Sequence, residues 1–244
     1  MKMKKRPDGH AIMANLTLDN SGVEKLFNVV EPTNEGGATD LYIYDIIDQF
    51  WGVSATMVIE ALQNVQKGSP LNVRLNSPGG SVFEARAILS ALRNHGKFNT
   101  YVDGIAASAA SWIATAGNSV TMSKGSFLMI HQSWGAAYGN AQEMRATADL
   151  LDKIDGTIID DYAARTGQDR KQLTQWLQDE TWFTADEAKE ANFADLVDDG
   201  KEADNKWNMT KAYKNAPEPK PVPEDEFDWE LHNRRAAALM IGIQ

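Results

Sequence analysis

Cysteine is absent from the 244-residue chain, and histidine occurs only four times. The lack of cysteine excludes disulfide bonds, thiolate zinc sites and cysteine peptidase chemistry. Imidazole is the side chain whose ordinary pKa lies nearest neutrality, so it is the first candidate for a general base. The sequence therefore offers four positions for such a base: His10, His95, His131 and His232.

Long apolar runs and an excess of basic residues are also missing. No stretch of about 18 apolar residues occurs, so the sequence predicts no membrane partner. The basic first six residues are not followed by the apolar stretch of a secretory signal, which favours a cytoplasmic location. Acidic residues outnumber basic ones, 34 against 24, giving a formal net charge of −10. Such a surface disfavours phosphate contacts, so no nucleic-acid partner is predicted.

Composition divides the chain into three regions. Residues 1–39 are mixed and predict an N-terminal arm. In residues 40–200, strand-like and helix-like segments alternate, which predicts one α/β domain with a largely parallel sheet. Residues 201–244 contain four prolines between 217 and 223, among lysine and glutamate, and this predicts an extended linker and C-terminal tail.

Ser108 lies in a small-residue segment, Gly104 to Ala110, near the N-terminus of a helix predicted over 106–116 that follows a predicted strand. Free N–H groups and the positive end of the dipole at a helix N-terminus stabilise a developing oxyanion. These features favour a nucleophilic serine. A serine that only caps a tightly packed helix has the same surroundings, so this segment by itself leaves both interpretations open.

His131 is the histidine best located for a base. It follows the predicted strand 127–130, and catalytic groups in α/β folds are often found at the carboxyl ends of strands. A buried structural histidine is the alternative interpretation. The other three lie in the predicted arm, in a predicted surface loop and in the tail: His10, His95 and His232.

The remaining parts of a serine peptidase site have several candidates. A carboxylate that orients the imidazole could come from Asp179 or Glu180, and spacing does not choose between them. An oxyanion hole needs two N–H donors. Ala109, which follows the serine, is one candidate, and the Gly79-Gly80 turn is the other because glycine lets a backbone approach a substrate. The acidic pair could equally be a solvated helix end, and the turn a simple strand-to-helix connection.

Four motifs occur in the order seen in the Clp protease proteolytic subunit (ClpP), and the chain resembles that family over about residues 40–199. The motifs are Asn76-Ser77-Pro78-Gly79-Gly80, Gly104-Ile105-Ala106-Ala107-Ser108, Met129-Ile130-His131-Gln132, and Trp182 to Ala188 followed by Ala194 to Asp198. The resemblance implies a ClpP/crotonase-type superhelix of ββα units. It also implies a protruding handle made of a strand over 133–139 and a long helix over 140–165.

The resemblance assigns a role to each candidate residue. It makes Ser108 the nucleophile, His131 the general base, and Gly80 and Ala109 the oxyanion donors. The acid is Glu180 by position in the motif, with Asp179 beside it as the alternative acid. The family usually has aspartate there, and glutamate can orient a histidine if the backbone allows for one more methylene. No metal or cofactor is called for.

The family implies self-association into rings, single or stacked, that act on protein or peptide substrates. The N-terminal arm and the acidic, proline-containing tail are more similar to the phage head maturation (prohead) proteases. The main prediction is therefore a serine endopeptidase that cleaves scaffold or capsid proteins in the host cytoplasm and prohead. The alternatives are a proteolytic chamber subunit fed by an ATP-dependent unfoldase, and a catalytically inactive ring subunit.

Overall fold

The fold is a mainly parallel β-sheet with helices packed against it. The computed structural model describes residues 27–30, 37–202 and 213–217. The strands are β1 Phe27–Val30, β2 Thr39–Ile43, β3 Leu71–Ser77, β4 Phe98–Ala107, β5 Val120–Lys124, β6 Phe127–Ile130, β7 Thr181–Thr184 and β8 Leu196–Glu202. The helices are α1 Ala55–Gln63, α2 Val82–His95, α3 Ala109–Thr115, α4 Ala141–Thr166, α5 Arg170–Gln178 and α6 Ala185–Glu190. The predicted α/β class is confirmed.

The sheet brings the carboxyl ends of two strands together. Its order is β1-β2-β3-β4-β5-β8, parallel from β2 onward, with β1 antiparallel to β2. The first half of β4 pairs with β5, and its second half pairs with β6, also parallel. β6 in turn pairs antiparallel with β7. The residues that follow β4 and β6 therefore lie side by side at one edge of the sheet.

Local sequence explains where the elements begin. In β3, alternate side chains are buried, as expected for a strand with one face on the core. Ser81 caps α2 by accepting a hydrogen bond from the Glu84 N–H. Thr184 and Glu187 form a reciprocal capping box at the start of α6, as the sequence predicts. These caps satisfy N–H groups that a helix leaves free in its first turn.

The handle is only partly as predicted. The long helix is present as α4, whose 26 residues closely match the predicted 140–165, and its first ten residues are mostly exposed. The strand over 133–139 is wrong, because these residues pair with no strand in the described part of the chain and adopt no regular structure. A β-strand requires a hydrogen-bonded neighbour. No described helix, α4 included, is both long and apolar enough to cross a membrane.

The helix predicted over 106–116 begins at Ala109, three residues late. Ala106 and Ala107 still pair with β6, so they remain part of β4. Ser108 is thereby the single residue between strand and helix. His95, predicted in a surface loop, is the buried last residue of α2. About 20 Å of helix separate it from the Gly79-Gly80 turn at the other end of α2.

The described parts of the two predicted terminal regions both contact the domain. β1 lies within the predicted arm and pairs with β2. β8 runs two residues beyond residue 200, to Glu202. Within the predicted tail, Tyr213 and Ala216 pack against a small apolar cluster formed by Ile105, Ala107 and Met129. The predicted strand over 11–18 lies outside the described residues.

Candidate active site

Ser108 has a backbone conformation that side-chain-bearing residues rarely adopt. Its φ is 54° and its ψ is −125°, at the tight turn from β4 into α3. Such a conformation costs on the order of 1–3 kcal/mol and persists only where the surroundings impose it. Here the Ser108 N–H donates to the Met129 carbonyl at 2.9 Å, and the Ser108 carbonyl accepts hydrogen bonds from Ser111. The turn thus places Ser108 at the edge of the sheet where β4 ends.

The Ser108 hydroxyl is hydrogen-bonded to His131, with 2.8 Å between Oγ and Nε2. The reason is the register of two parallel strands: Ala107 in β4 lies opposite Met129 in β6. Ser108 comes one residue after that pair and His131 two residues after it, so both emerge from the same end of the sheet. The fold therefore brings together the two residues that the sequence singles out as nucleophile and base.

Burial lowers the pKa of His131 below its ordinary value of 6.5, while the charges of Glu180 and Asp155 act in the opposite direction. Burial dominates because an imidazolium loses hydration when it is removed from water. At neutral pH the ring is therefore neutral, with one nitrogen available as a proton acceptor. This is the protonation state that a general base requires.

Gly79 is required by the close approach of its turn to Ser108. Its φ is +92°, and a Cβ on this residue would lie 2.4 Å from the Ala107 carbonyl oxygen and 2.8 Å from the Ser108 Cβ. Backbone hydrogen bonds anchor the turn, since the Ile47 N–H donates to the Gly79 carbonyl at 2.7 Å. Any side chain at Gly79 would push the turn away from the serine.

Two backbone N–H groups are open beside this serine. The N–H groups of Gly80 and Ala109 donate to no other described residue. Ala109 opens α3, where the first N–H groups of a helix have no partner within it. Gly80, with φ +141°, follows the turn that touches Ser108. An oxyanion hole needs donors of this kind, already oriented before charge develops.

Glu180 lies near His131 but makes its hydrogen bonds elsewhere. Its carboxylate accepts the N–H of Lys214 at 3.0 Å, the N–H of Asn215 at 2.6 Å, and the indole N–H of Trp182 at 3.3 Å. Among the described residues, the His131 ring is hydrogen-bonded only through Nε2 to Ser108. Glu180 therefore acts on His131 through its charge in this conformation, without a direct hydrogen bond.

Asp179 is the less suitable of the two predicted acids. It is exposed, and its carboxylate accepts a hydrogen bond from the Gln175 side chain at 2.9 Å, one turn back on α5. Its charge is not among those that act on the pKa of His131. Of the two adjacent acids, only Glu180 is within electrostatic reach of the imidazole.

Asp155 is a third acid near His131, and it was not among the predicted site residues. It is buried on α4, and its carboxylate accepts both the N–H and the hydroxyl of Ser133 at 2.7 and 2.6 Å. It is also the second charge that raises the pKa of His131. A signal existed in the sequence: Asp155 shares the helical spacing of the apolar residues Ile158, Ile159 and Tyr162.

Tyr213 was also missed, since it lies in a stretch predicted as linker. Its ring packs edge-on against His131, with centroids 5.4 Å apart, and against Trp182 at 5.8 Å. Its hydroxyl donates to the Pro78 carbonyl at 2.6 Å. Burial raises the pKa of this phenol. An isolated aromatic residue in a polar, proline-containing stretch was the only available signal.

A small recess of about 20 Å³ opens beside Ser108. Besides Ser108 and His131, its walls include Val82, Trp112, Ile158 and Tyr162. The indole N–H of Trp112 donates to Asp161 at 2.7 Å, which holds this wall in place. Among the described residues, no cluster of three or more histidine, aspartate or glutamate side chains could hold a metal ion.

A neutral histidine bonded to a strained serine, beside open N–H groups, has the geometry that serine hydrolases use for nucleophilic attack on a carbonyl. Comparison with known proteins agrees with this class. The Clp protease family model matches residues 39–201. The chain belongs to the Clp protease family, which makes it a hydrolase of the peptidase type and confirms the predicted ClpP-type fold.

Several relatives align with more than half of this chain. The ATP-dependent Clp protease proteolytic subunit of Pleurastrum terricola is 30% identical over 190 residues, covering 72% of this chain and 96% of the relative. The ATP-dependent Clp protease proteolytic subunit 1 of Chlamydia abortus is 31% identical over 164 residues, covering 65% and 81%. A Bacteroides fragilis proteolytic subunit is 30% identical over 154 residues, covering 62% and 74%.

Proposed function

We propose that this protein is a serine endopeptidase in which Ser108 is the nucleophile and His131 the general base. The observation that carries the proposal is the 2.8 Å hydrogen bond between Ser108 Oγ and His131 Nε2. It is supported by the positive φ of Ser108, a strained conformation of the kind found at functional sites. The lowered pKa of His131 also fits, because the ring is ready to accept a proton at neutral pH.

The reaction follows from these contacts. His131 Nε2 accepts the proton of Ser108 Oγ as the oxygen attacks the scissile carbonyl carbon. The N–H groups of Gly80 and Ala109 stabilise the negative charge that develops on the carbonyl oxygen. The imidazolium then donates its proton to the leaving amine, and an acyl-enzyme forms. A water molecule, deprotonated by His131, hydrolyses that ester and regenerates Ser108.

Glu180 is the acid in this proposal, with Asp179 as the less favoured candidate. A carboxylate that accepts the other ring N–H of His131 fixes its tautomer and stabilises the imidazolium. Glu180 supports this role through its charge, which raises the pKa of His131. Its carboxylate has to release the N–H groups of Lys214 and Asn215 before it can bond directly to the imidazole.

As its biological role we favour a proteolytic chamber subunit that works with an ATP-dependent unfoldase. The relatives described above bear the name ATP-dependent Clp protease proteolytic subunit, and they support this alternative over prohead maturation. Cleavage of phage scaffold or capsid proteins in the host cytoplasm and prohead stays a prediction from the arm and tail. Self-association into rings belongs to the same proposal.

One experiment separates the two roles. The purified protein is incubated with a folded reporter protein, with and without a Clp-type unfoldase and ATP, and separately with phage scaffold protein. Degradation of the folded reporter only in the presence of unfoldase and ATP supports the chamber role. Cleavage of the scaffold protein without ATP, with no unfoldase-dependent degradation, would favour prohead maturation instead.

The pH dependence of hydrolysis should report the lowered pKa of His131. Only the neutral ring accepts a proton, so kcat/KM should fall as the pH drops through this pKa, with a midpoint below 6.5. Asp155→Asn removes a charge that raises this pKa, so the midpoint should move to lower pH. Rate profiles between pH 4 and 8 (roughly the range that histidine titration covers) measure both. A midpoint above 6.5, or an upward movement in Asp155→Asn, would contradict the assignment.

The recess beside Ser108 predicts a preference for small apolar residues on the acyl side of the scissile bond. At about 20 Å³ it has room for roughly one water molecule. Its apolar wall residue Trp112 is held by Asp161 and by the guanidinium of Arg86, 4.4 Å from its ring centre. We expect kcat/KM for alanine at this position to exceed that for phenylalanine by about tenfold or more. A library of peptides varied at that position measures it, and a preference for phenylalanine would refute it.

A further inference from the structure

The segment Tyr213–Pro217 lies on the active site itself. The Tyr213 ring reaches from His131 to the turn before Gly79, where its hydroxyl donates to the Pro78 carbonyl. The Ser108 hydroxyl lies close enough to this phenol to lower its pKa against the larger effect of burial. The ring therefore spans both sides of the site, from the base to the turn that neighbours the predicted oxyanion hole.

The surface beneath this segment, which we call the groove, is apolar. Its floor is the cluster of Ile105, Ala107 and Met129, at the carboxyl ends of β4 and β6, with Trp182 beside it. Tyr213 and Ala216 cover this floor. Without the segment, the site would expose a contiguous apolar surface next to Ser108. Such a surface, combined with polar groups at its rim, is suited to binding a peptide.

Two of the polar contacts of the segment come from its backbone. The Lys214 and Asn215 N–H groups donate to the two oxygens of Glu180, and the Asn215 side-chain amide donates to the Asp179 carbonyl at 2.8 Å. Every residue except proline offers a backbone N–H, so the two bonds to Glu180 do not depend on the side chains of this segment. The Tyr213 ring, by contrast, fills the apolar part.

Occupation of the groove has two consequences for catalysis. A substrate must reach Ser108 Oγ beside His131, and the Tyr213 side chain already contacts the His131 ring and the Pro78 carbonyl there. In addition, the carboxylate of Glu180 is held by two backbone N–H groups instead of by His131. The same five residues thus cover His131 and engage the Glu180 carboxylate.

We propose that Tyr213–Pro217 is an inhibitory segment that fills the peptide-binding groove of its own active site and must leave before a substrate binds. The proposal rests on the serine peptidase function given above. If the segment fills the groove in most molecules, the apparent activity is lowered in proportion to the fraction of molecules whose groove is empty. Weakening the segment therefore increases activity, which is the opposite of what loss of a catalytic or structural residue does.

Two full-length variants test the proposal. Tyr213→Ala removes the ring that covers the floor, and Asn215→Pro removes the N–H that bonds to Glu180. Asn215 is exposed and outside the core, so its replacement leaves the domain folded even if Tyr213→Ala does not. Ile59→Ala, an exposed apolar truncation on α1, is the matched control. The readouts are the rate of fluorophosphonate labelling at Ser108 and kcat/KM for a short peptide.

Both variants should increase both readouts by about tenfold or more relative to the unaltered protein and to Ile59→Ala. Unchanged or lower values in both variants would overturn the inference. Failure of the proposed function looks different, because Ser108 would then remain unlabelled in every variant.

A binding measurement tests the groove independently of the chemistry. A synthetic peptide of residues 210–219 is titrated with Tyr213→Ala and with the unaltered protein, and binding is followed by NMR of the peptide. A tethered segment has an effective concentration in the millimolar range, so binding at about 1 mM peptide is expected for the variant. The unaltered protein should bind about tenfold more weakly, because its groove is filled. Equal binding to both proteins, or equal binding of a peptide with alanine for Tyr213, would contradict the proposal.

Discussion

Ser108→Ala is expected to abolish peptide hydrolysis, lowering kcat by about 10⁴- to 10⁶-fold. Ser108 Oγ is the only serine oxygen hydrogen-bonded to His131 among the described residues, so no neighbouring hydroxyl can replace it. The substitution retains the Cβ and the positive φ of the turn, and it leaves the Ser108 N–H free to donate to Met129. Loss of activity would therefore report the chemistry of the hydroxyl. Hydrolysis of a fluorogenic peptide and labelling by a fluorophosphonate probe measure it.

The matched control for this variant is Ser69→Ala. The Ser69 hydroxyl is buried and makes no hydrogen bond to a described residue, so its loss should change neither hydrolysis nor labelling. If Ser108→Ala is labelled as fast as the unaltered protein, or retains more than a small fraction of its activity, Ser108 is not the nucleophile. The inactive ring subunit then becomes the better interpretation.

Glu180→Gln is expected to have the second largest effect, lowering kcat by about 10³-fold or more. The amide keeps the shape of the side chain but cannot stabilise the imidazolium that forms when His131 takes the serine proton. Because Glu180 raises the pKa of His131, the acid side of the pH profile should also move to lower pH. Steady-state kinetics at several pH values measure both changes. The loss should persist in the Asn215→Pro background, in which the segment no longer holds the carboxylate.

Asp179→Asn is the isosteric control at the adjacent position. Asp179 is exposed and bonds to Gln175, so its neutralisation should leave kcat within about twofold of the unaltered value, as for most surface substitutions. A large loss in Asp179→Asn with little change in Glu180→Gln would exchange the roles of the two acids. A large loss only in Asp155→Asn would make the buried acid on α4 the third member of the triad.

The positions of most elements could be predicted from local sequence. The alternation of buried and half-buried residues in β3, the serine cap of α2 and the capping box of α6 depend on residues a few positions apart. For the same reason the motifs were sufficient to select Ser108 and His131 as partners. Each is in a turn or strand end whose character is determined by its neighbours in the chain.

Contacts between distant segments could not be predicted in the same way. The helix that follows Ser108 begins late because Ala106 and Ala107 pair with β6. The predicted handle strand is absent because no described strand pairs with it. Asp155 approaches Ser133 only because α4 packs beside the site. These outcomes depend on hydrogen bonds and packing across many residues, which periodicity and motifs do not encode.

Local patterns and motif order were enough to predict the fold class, the family and the pair of residues proposed for catalysis. The surroundings of that pair depend on tertiary contacts. The structure shows that the Glu180 carboxylate is held by Lys214 and Asn215, and that Tyr213 covers His131. The physical reason is that a segment more than 80 residues beyond His131 in the chain binds there through backbone N–H groups and one aromatic ring. No sequence motif near Glu180 or His131 indicates either contact.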